Sequence, residues 1–153
     1  MARFSIKEIT VKQVELVAHD LARELMEWGE PIPAFNTRFP AILESCLKTP
    51  FQKFEGKSLY RGITGKGAAL FYFMVKNHPF QNGNKRVAVM TLLYFLYRQN
   101  KWLDVGNDTL YKFANQVAES EATKTNLEMR RVRSFIRKHI IVYSVEAIEK
   151  TLG

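Results

Sequence analysis

Residues 68–97 read AALFYFMVKNHPFQNGNKRVAVMTLLYFLY. Two apolar segments, 68–75 and 87–97, enclose a run that carries a histidine, several amides, a glycine and two adjacent cations. In the first segment only Val75 is β-branched, so a helix is favoured over a strand. Residues 87–97 are apolar on every face, the mark of a helix buried on all sides. The polar run therefore joins two core helices, and that decides the fold class: all-α.

Pro79 excludes the α region for residue 78, so the first helix stops at or before His78. Gly83 permits a tight turn, and Asn84 either caps the second helix or begins it. The backbone N–H groups that open that helix lack intrahelical partners and sit at the positive end of its dipole. Such a terminus suits an anion, phosphate above all. Lys85 and Arg86 place two cations in the same turn, where the dipole disfavours them, and a bound anion offsets that cost. Arg86 can grip phosphate with two parallel donors, while Lys85 acts as a point charge. The imidazole of His78 can take a proton from an attacking hydroxyl. Phe80 can anchor the loop to the core, and Asn82 and Asn84 offer oxygens to a metal or amides to phosphate. Singly, each residue has a plainer role: a helix-end histidine, an Asn-Gly-Asn turn, a solvated Lys-Arg pair. Gathered between two buried helices, they form a base, an anion nest and a charge clamp. That set points to phosphoryl or nucleotidyl transfer.

Outward from this centre, Thr10-Val11-Lys12-Gln13 fits a capping box. Val14, Val17, Ala18, Leu21, Leu25 and Trp28 follow at helical spacing, and Gly29-Glu30-Pro31-Ile32-Pro33 ends that helix. A shorter helix is predicted over 41–48. FQKFEGKSLY at 51–60 alternates aromatics about Glu55-Gly56, as a small hairpin or irregular flap would. Asn107-Asp108 is predicted to cap a helix with Leu110, Phe113 and Val117 inward. Thr125-Asn126-Leu127-Glu128 reads as a second capping box ahead of Met129, Val132, Phe135 and Ile136. Residues 140–143 read as extended, with a last short helix from Ser144. The pattern gives about seven helices in a single compact domain over 1–153, its core roughly 6–120 and a C-terminal helical extension over 121–153.

The 153 residues are 46% hydrophobic and 25% charged, ordinary globular values. Cys46 is the only cysteine, which excludes an internal disulfide and suggests a reducing compartment. No apolar run reaches the ~18 residues that a membrane span needs. The opening MARFSIKEIT lacks the apolar stretch of a signal peptide. A cytoplasmic protein is expected. Lys and Arg number 23 against 15 Asp and Glu, a net charge of +8 that favours acidic partners.

HPFQNGNKR resembles the signature loop of the Fic/Doc family, His-x-Phe-x-acid/Asn-Gly/Ala-Asn-Gly/Lys-Arg, at every fixed position. The surrounding pattern is similar over roughly residues 6–120. The resemblance implies a helical domain with a small flap before the loop, and a transferase that uses ATP and Mg²⁺. Fic-type adenylyltransferases carry Gly-Asn-Gly-Arg-x-x-Arg, but here Lys85 and Val89 stand at the second glycine and second arginine. That is the pattern of Doc-type death-on-curing toxins, which resemble Fic proteins but transfer the γ-phosphate. They modify a hydroxyl of elongation factor Tu, halt translation, and are neutralised by a small antitoxin.

Carried across by residue, the resemblance makes His78 the general base and Phe80 the loop anchor. Gly83 and Asn84 would form the anion hole, and Lys85 and Arg86 would hold the nucleotide phosphates. Asn82 occupies the place of the Mg²⁺-binding carboxylate, a departure that weakens the metal site because a neutral amide is a poorer ligand for a hard cation. Phe54, Gly56, Leu59 and Tyr60 would belong to the flap that docks the target by strand addition. The Ser/Thr-x-x-x-Glu-Gly/Asn inhibitory pattern of many Fic proteins has no match, since Phe51 precedes Glu55 by four. Restraint is thus expected from a separate acidic antitoxin chain. The alternatives are a protein nucleotidyltransferase and a non-catalytic nucleic-acid-binding helical domain. Lys124, Arg130, Arg131, Arg133, Arg137 and Lys138 favour the last, but no helix-turn-helix or base-stacking pattern accompanies them.

Overall fold

The computed structural model describes residues 5–25 and 31–153. Thr10 opens the first helical run as its capping box requires. Its Oγ1 accepts the Gln13 N–H at 3.1 Å, and the Gln13 side chain accepts the Thr10 N–H at 3.0 Å. The run passes from α1 (Val11–Gln13) through a π-helical stretch (Val14–His19) into α2 (Asp20–Leu25). The wider π turns shift the apolar stripe, so Val14, Ala18 and Ala22 are buried whereas Leu25 is exposed. Trp28, predicted on the same stripe, and Gly29 and Glu30 after it lie outside the described residues.

Next comes α3 (Pro40–Lys48), with proline in its first turn. A 3₁₀ turn (Thr49–Phe51) leads to β1 (Lys53–Phe54) and β2 (Lys57–Ser58). These strands pair antiparallel across Glu55 and Gly56, whose φ values of 50° and 77° suit a two-residue hairpin. Then follow α4 (Gly62–Lys76), α5 (Asn84–Arg98), β3 (Lys101–Leu103), α6 (Asn107–Glu119), α7 (Thr125–His139), β4 (Ile140–Val142) and α8 (Val145–Leu152). With the first run taken as one helix, the described residues hold seven, and the all-α expectation stands.

The antiparallel β3–β4 pair is an addition to that expectation. Residues 140–142 are extended as predicted, but their partner Lys101-Trp102-Leu103 is too short to show alternation in sequence. Below it, the Thr151 hydroxyl accepts from Trp102 Nε1 at 3.1 Å and donates to the Val105 carbonyl at 2.8 Å, docking α8.

From Asn84 to Leu96, every residue of α5 except Lys85 and Tyr94 is buried. It packs on α4, which also packs on α7. Phe113 of α6 stacks between Phe71 of α4 and Phe135 of α7, at centroid distances of 5.6 and 3.8 Å. The His78 loop thus leaves and re-enters a pair of buried, mutually packed helices.

Two predicted caps are corrected. Asn107 is the first residue of α6 rather than its cap; the cap is Gly106, and the Asn107 amide donates to the Thr151 carbonyl at 3.3 Å. Thr125 likewise lies inside α7. Its hydroxyl donates to the Ala122 carbonyl at 2.9 Å across a preceding 3₁₀ turn (Ala122–Lys124), and Glu128 is buried against Arg131 instead of reaching back to the helix end. Burial of the carboxylate overrode the local capping pattern. Among the described residues no helix is long and apolar enough to cross a membrane.

Candidate active site

α4 ends at Lys76 with Asn77 as its cap, and Pro79 blocks its continuation. His78 adopts φ +51°, a left-handed conformation uncommon for a residue with a side chain. This geometry is enforced from below. Phe80 is 1% exposed, and such an aromatic is worth ~3–5 kcal/mol of stability against alanine. The Asn84 side chain folds back over the loop: its Oδ1 accepts the Phe80 N–H at 2.9 Å and its Nδ2 donates to the Phe80 carbonyl at 2.8 Å. Nδ2 also lies 3.5 Å from His78 Nδ1, at the long edge of hydrogen bonding. Asn84 is therefore the clasp of the loop and the first residue of α5 together.

Gly83 caps α5 with φ +73° and no side-chain hydrogen bond, and Gly83, Asn84 and Lys85 at the start of this 15-residue helix line the cleft. A Cβ at Gly83 would lie 2.6 Å from Ile32 Cγ1, so glycine is required by both conformation and space. Lys85 Nζ donates to Asn115 Oδ1 of α6 at 2.9 Å, which fixes its charge beside the first turn of α5. His78, Asn82, Gly83, Asn84 and Lys85 line one cleft of about 310 Å³, walled by Val75 and Ala118. A cleft of this size lies at the lower end of the range for ligand pockets. Lys76 closes the wall with hydrogen bonds from Nζ to the Ala118 and Ser120 carbonyls, at 3.2 and 2.6 Å.

The remaining predicted site residues are placed elsewhere. Arg86 is 7% exposed and does not line the cleft, although it lies in the first turn of α5. Phe54, Gly56, Leu59 and Tyr60 do not line it either. Their hairpin precedes the first turn of α4 and the His78 loop follows the last, with 15 residues, roughly 22 Å of helix, between them. What leans on the loop instead is the segment 31–39. Phe39 N–H donates to the Pro79 carbonyl at 2.9 Å, Ile32 covers Gly83, and the Phe35 ring lies 5.9 Å from Phe80.

His19 joins that segment to the loop, a role no sequence signal announced. It is 1% exposed, with Nε2 3.0 Å from the Pro33 carbonyl and its ring 5.2 and 5.6 Å from Phe35 and Phe80. Burial pushes its pKa below the usual histidine value of 6.5, against the smaller opposing pull of the Pro33 carbonyl. With the folded value lowered, protons bind the unfolded chain first. The contribution to stability is complete above the unfolded value and is lost as pH falls toward the folded one. Melting midpoints measured between about pH 7 and pH 5 should fall for the native protein, and less steeply for His19→Gln; parallel profiles would contradict this.

The Mg²⁺ implied at Asn82 meets a poor donor set. No carboxylate lines the cleft, and Asn82 Oδ1 already accepts the Gly83 N–H at 2.9 Å. Among the described residues no group of three His, Cys, Asp or Glu side chains could hold a metal ion. These residues do not fit a protein-held Mg²⁺, which is usually bound through one or two carboxylates plus substrate phosphates. Asn82→Asp supplies the missing charge and should lower the Mg²⁺ concentration needed for half-maximal activity; equal half-saturation in both proteins would remove residue 82 from metal binding.

A family model described as Fic/DOC family matches residues 9–96. No curated protein and no solved structure matches the chain.

Proposed function

This chain belongs to the Fic/DOC family, whose members generally transfer nucleotide or phosphate to protein, and we propose that it is a Doc-like toxin that transfers the γ-phosphoryl group of ATP. The acceptor is a protein hydroxyl, with elongation factor Tu the candidate, and the outcome is arrest of translation. His78 takes the proton of the acceptor hydroxyl as its oxygen bonds the γ-phosphorus. The bond from that phosphorus to the bridging oxygen breaks, and ADP leaves. The positive end of the α5 dipole at Gly83 attracts the phosphate oxygens, Lys85 neutralises charge that grows on the transferred group, and Arg86 adds a buried cation in the same turn. The Asn84 clasp holds the base and the anion site in one frame.

Lys85 is the observation that carries the reading. It lines the cleft with His78 and is held there by Asn115, so the charge is placed before substrate arrives. A glycine there would leave room for a nucleotide to lie with its α-phosphorus at the acceptor. The +8 charge supports an acidic antitoxin as partner. Cell extract incubated with the protein and ATP labelled at either the α or the γ position tests the assignment. Label should enter protein from the γ position alone; entry from the α position would make the enzyme a nucleotidyltransferase.

A further inference from the structure

A second groove, of about 260 Å³, opens between the end of the β1–β2 hairpin, the first half of α4 and the first half of α7. Its floor is formed by Leu59, Tyr60, Gly65, Ala68 and Met129. Leu59 is 54% exposed, and Phe54 on the same hairpin is 66% exposed, so apolar side chains stand open to water there. The floor is firmly built. The Tyr60 backbone packs on Gly65, where a Cβ would lie 3.3 Å from the Tyr60 carbonyl carbon, and the buried Lys66 donates from Nζ to the Tyr60 carbonyl at 2.7 Å.

The rim is basic. Arg130 and Arg133 line it, and neither forms an ion pair among the described residues. Arg137 continues their face of α7 one turn further, and Lys57 and Arg61 flank Leu59 and Tyr60 in the chain, all of them exposed. No carboxylate lines the groove, because Glu128 is turned inward to Arg131 at 2.9 Å. The positive dipole ends of α4 and α7 both lie at this groove, since Gly65 and Asn126 come from their first turns.

We propose that this groove docks an acidic amphipathic segment of a partner protein, with apolar side chains on Leu59 and Met129 and carboxylates facing Arg130 and Arg133. Nucleic acid suits it less. Among the described residues Tyr60 is the one aromatic side chain that lines it, so successive bases would have no stacking platform there. The groove is separate from the His78 cleft, so the proposal stands whichever group that cleft transfers.

The test is fluorescence anisotropy with the full chain and three labelled probes. These are a Glu-Glu-Leu repeat peptide, a Glu-Glu-Ala peptide of equal length and charge, and a single-stranded oligonucleotide of matching charge. The leucine peptide should bind tightest. Combined Arg130→Glu and Arg133→Glu should weaken it at least about tenfold, since like charges then face each other. Leu59→Ser should bring it down to the level of the alanine peptide, with circular dichroism confirming that each exposed-site variant is folded. Equal affinity for the two peptides, undiminished binding by the charge-reversed variant, or tighter binding of the oligonucleotide would each overturn the proposal.

Discussion

His78→Ala lowers transfer by ~10²–10⁴-fold, the usual loss when a general base is removed. The fold should survive, because the ring is exposed and its only hydrogen-bond contact among the described residues, to Asn84, is 3.5 Å long. Residue 78 has φ +51°, however, and alanine tolerates that backbone less well than asparagine does. His78→Asn is therefore the cleaner variant: it keeps a side chain suited to the left-handed conformation and removes the imidazole. Both variants should be inactive per folded molecule, with His78→Asn melting close to the native protein. Activity retained per folded molecule in either variant would reduce His78 to a loop residue without chemistry.

Lys85→Gly has the second-largest expected effect and bears on which phosphate reacts. Lys85 Nζ sits 2.9 Å from Asn115 Oδ1, so its position is set by α6 before any nucleotide enters. A cation fixed in advance stabilises charge that develops on the transferred group without reorganising during the step. Loss of one such preorganised donor typically costs ~10²–10³-fold. The glycine costs about 1 kcal/mol at most in helix stability, so unfolding does not account for a loss of that size. Removal of the side chain also opens the space that the Gly-Asn-Gly-Arg pattern leaves for an α-phosphate, although Val89 still stands where that pattern has its second arginine. Transfer to a purified acceptor from α- and γ-labelled ATP, native beside variant, should show the γ signal falling. If it persists undiminished, Lys85 is a surface residue and the phosphotransferase assignment loses its main support.

The α4–loop–α5 centre was legible because its signals are local. Pro79 and Gly83 act on their own backbones, and the apolar residues of 87–97 lie side by side in the chain. The β1–β2 hairpin was readable for the same reason, from Glu55-Gly56. Contacts made across the fold were not. Asn115 looks like any polar residue on an amphipathic helix until α6 is set beside Lys85. His19 becomes an anchor of the loop only when Phe35 and Phe80 close around it. The segment 31–39 reads as a proline-containing connector, and its packing on Pro79 and Gly83 depends on tertiary placement. The flap role of the hairpin came from the resemblance and not from local chemistry, and the hairpin is separated from His78 by the length of α4. Arg86 was expected beside Lys85 on the cleft; adjacent helical positions face about 100° apart, and here one lines the cleft while the other is buried.

The most direct measurement is the intact mass of purified elongation factor Tu after incubation with the native protein and ATP. γ-Phosphoryl transfer requires an increment equal to one phosphoryl group, absent with His78→Asn. An increment equal to one adenylyl group, dependent on His78, would contradict the phosphotransferase reading and place the α-phosphorus at the acceptor hydroxyl.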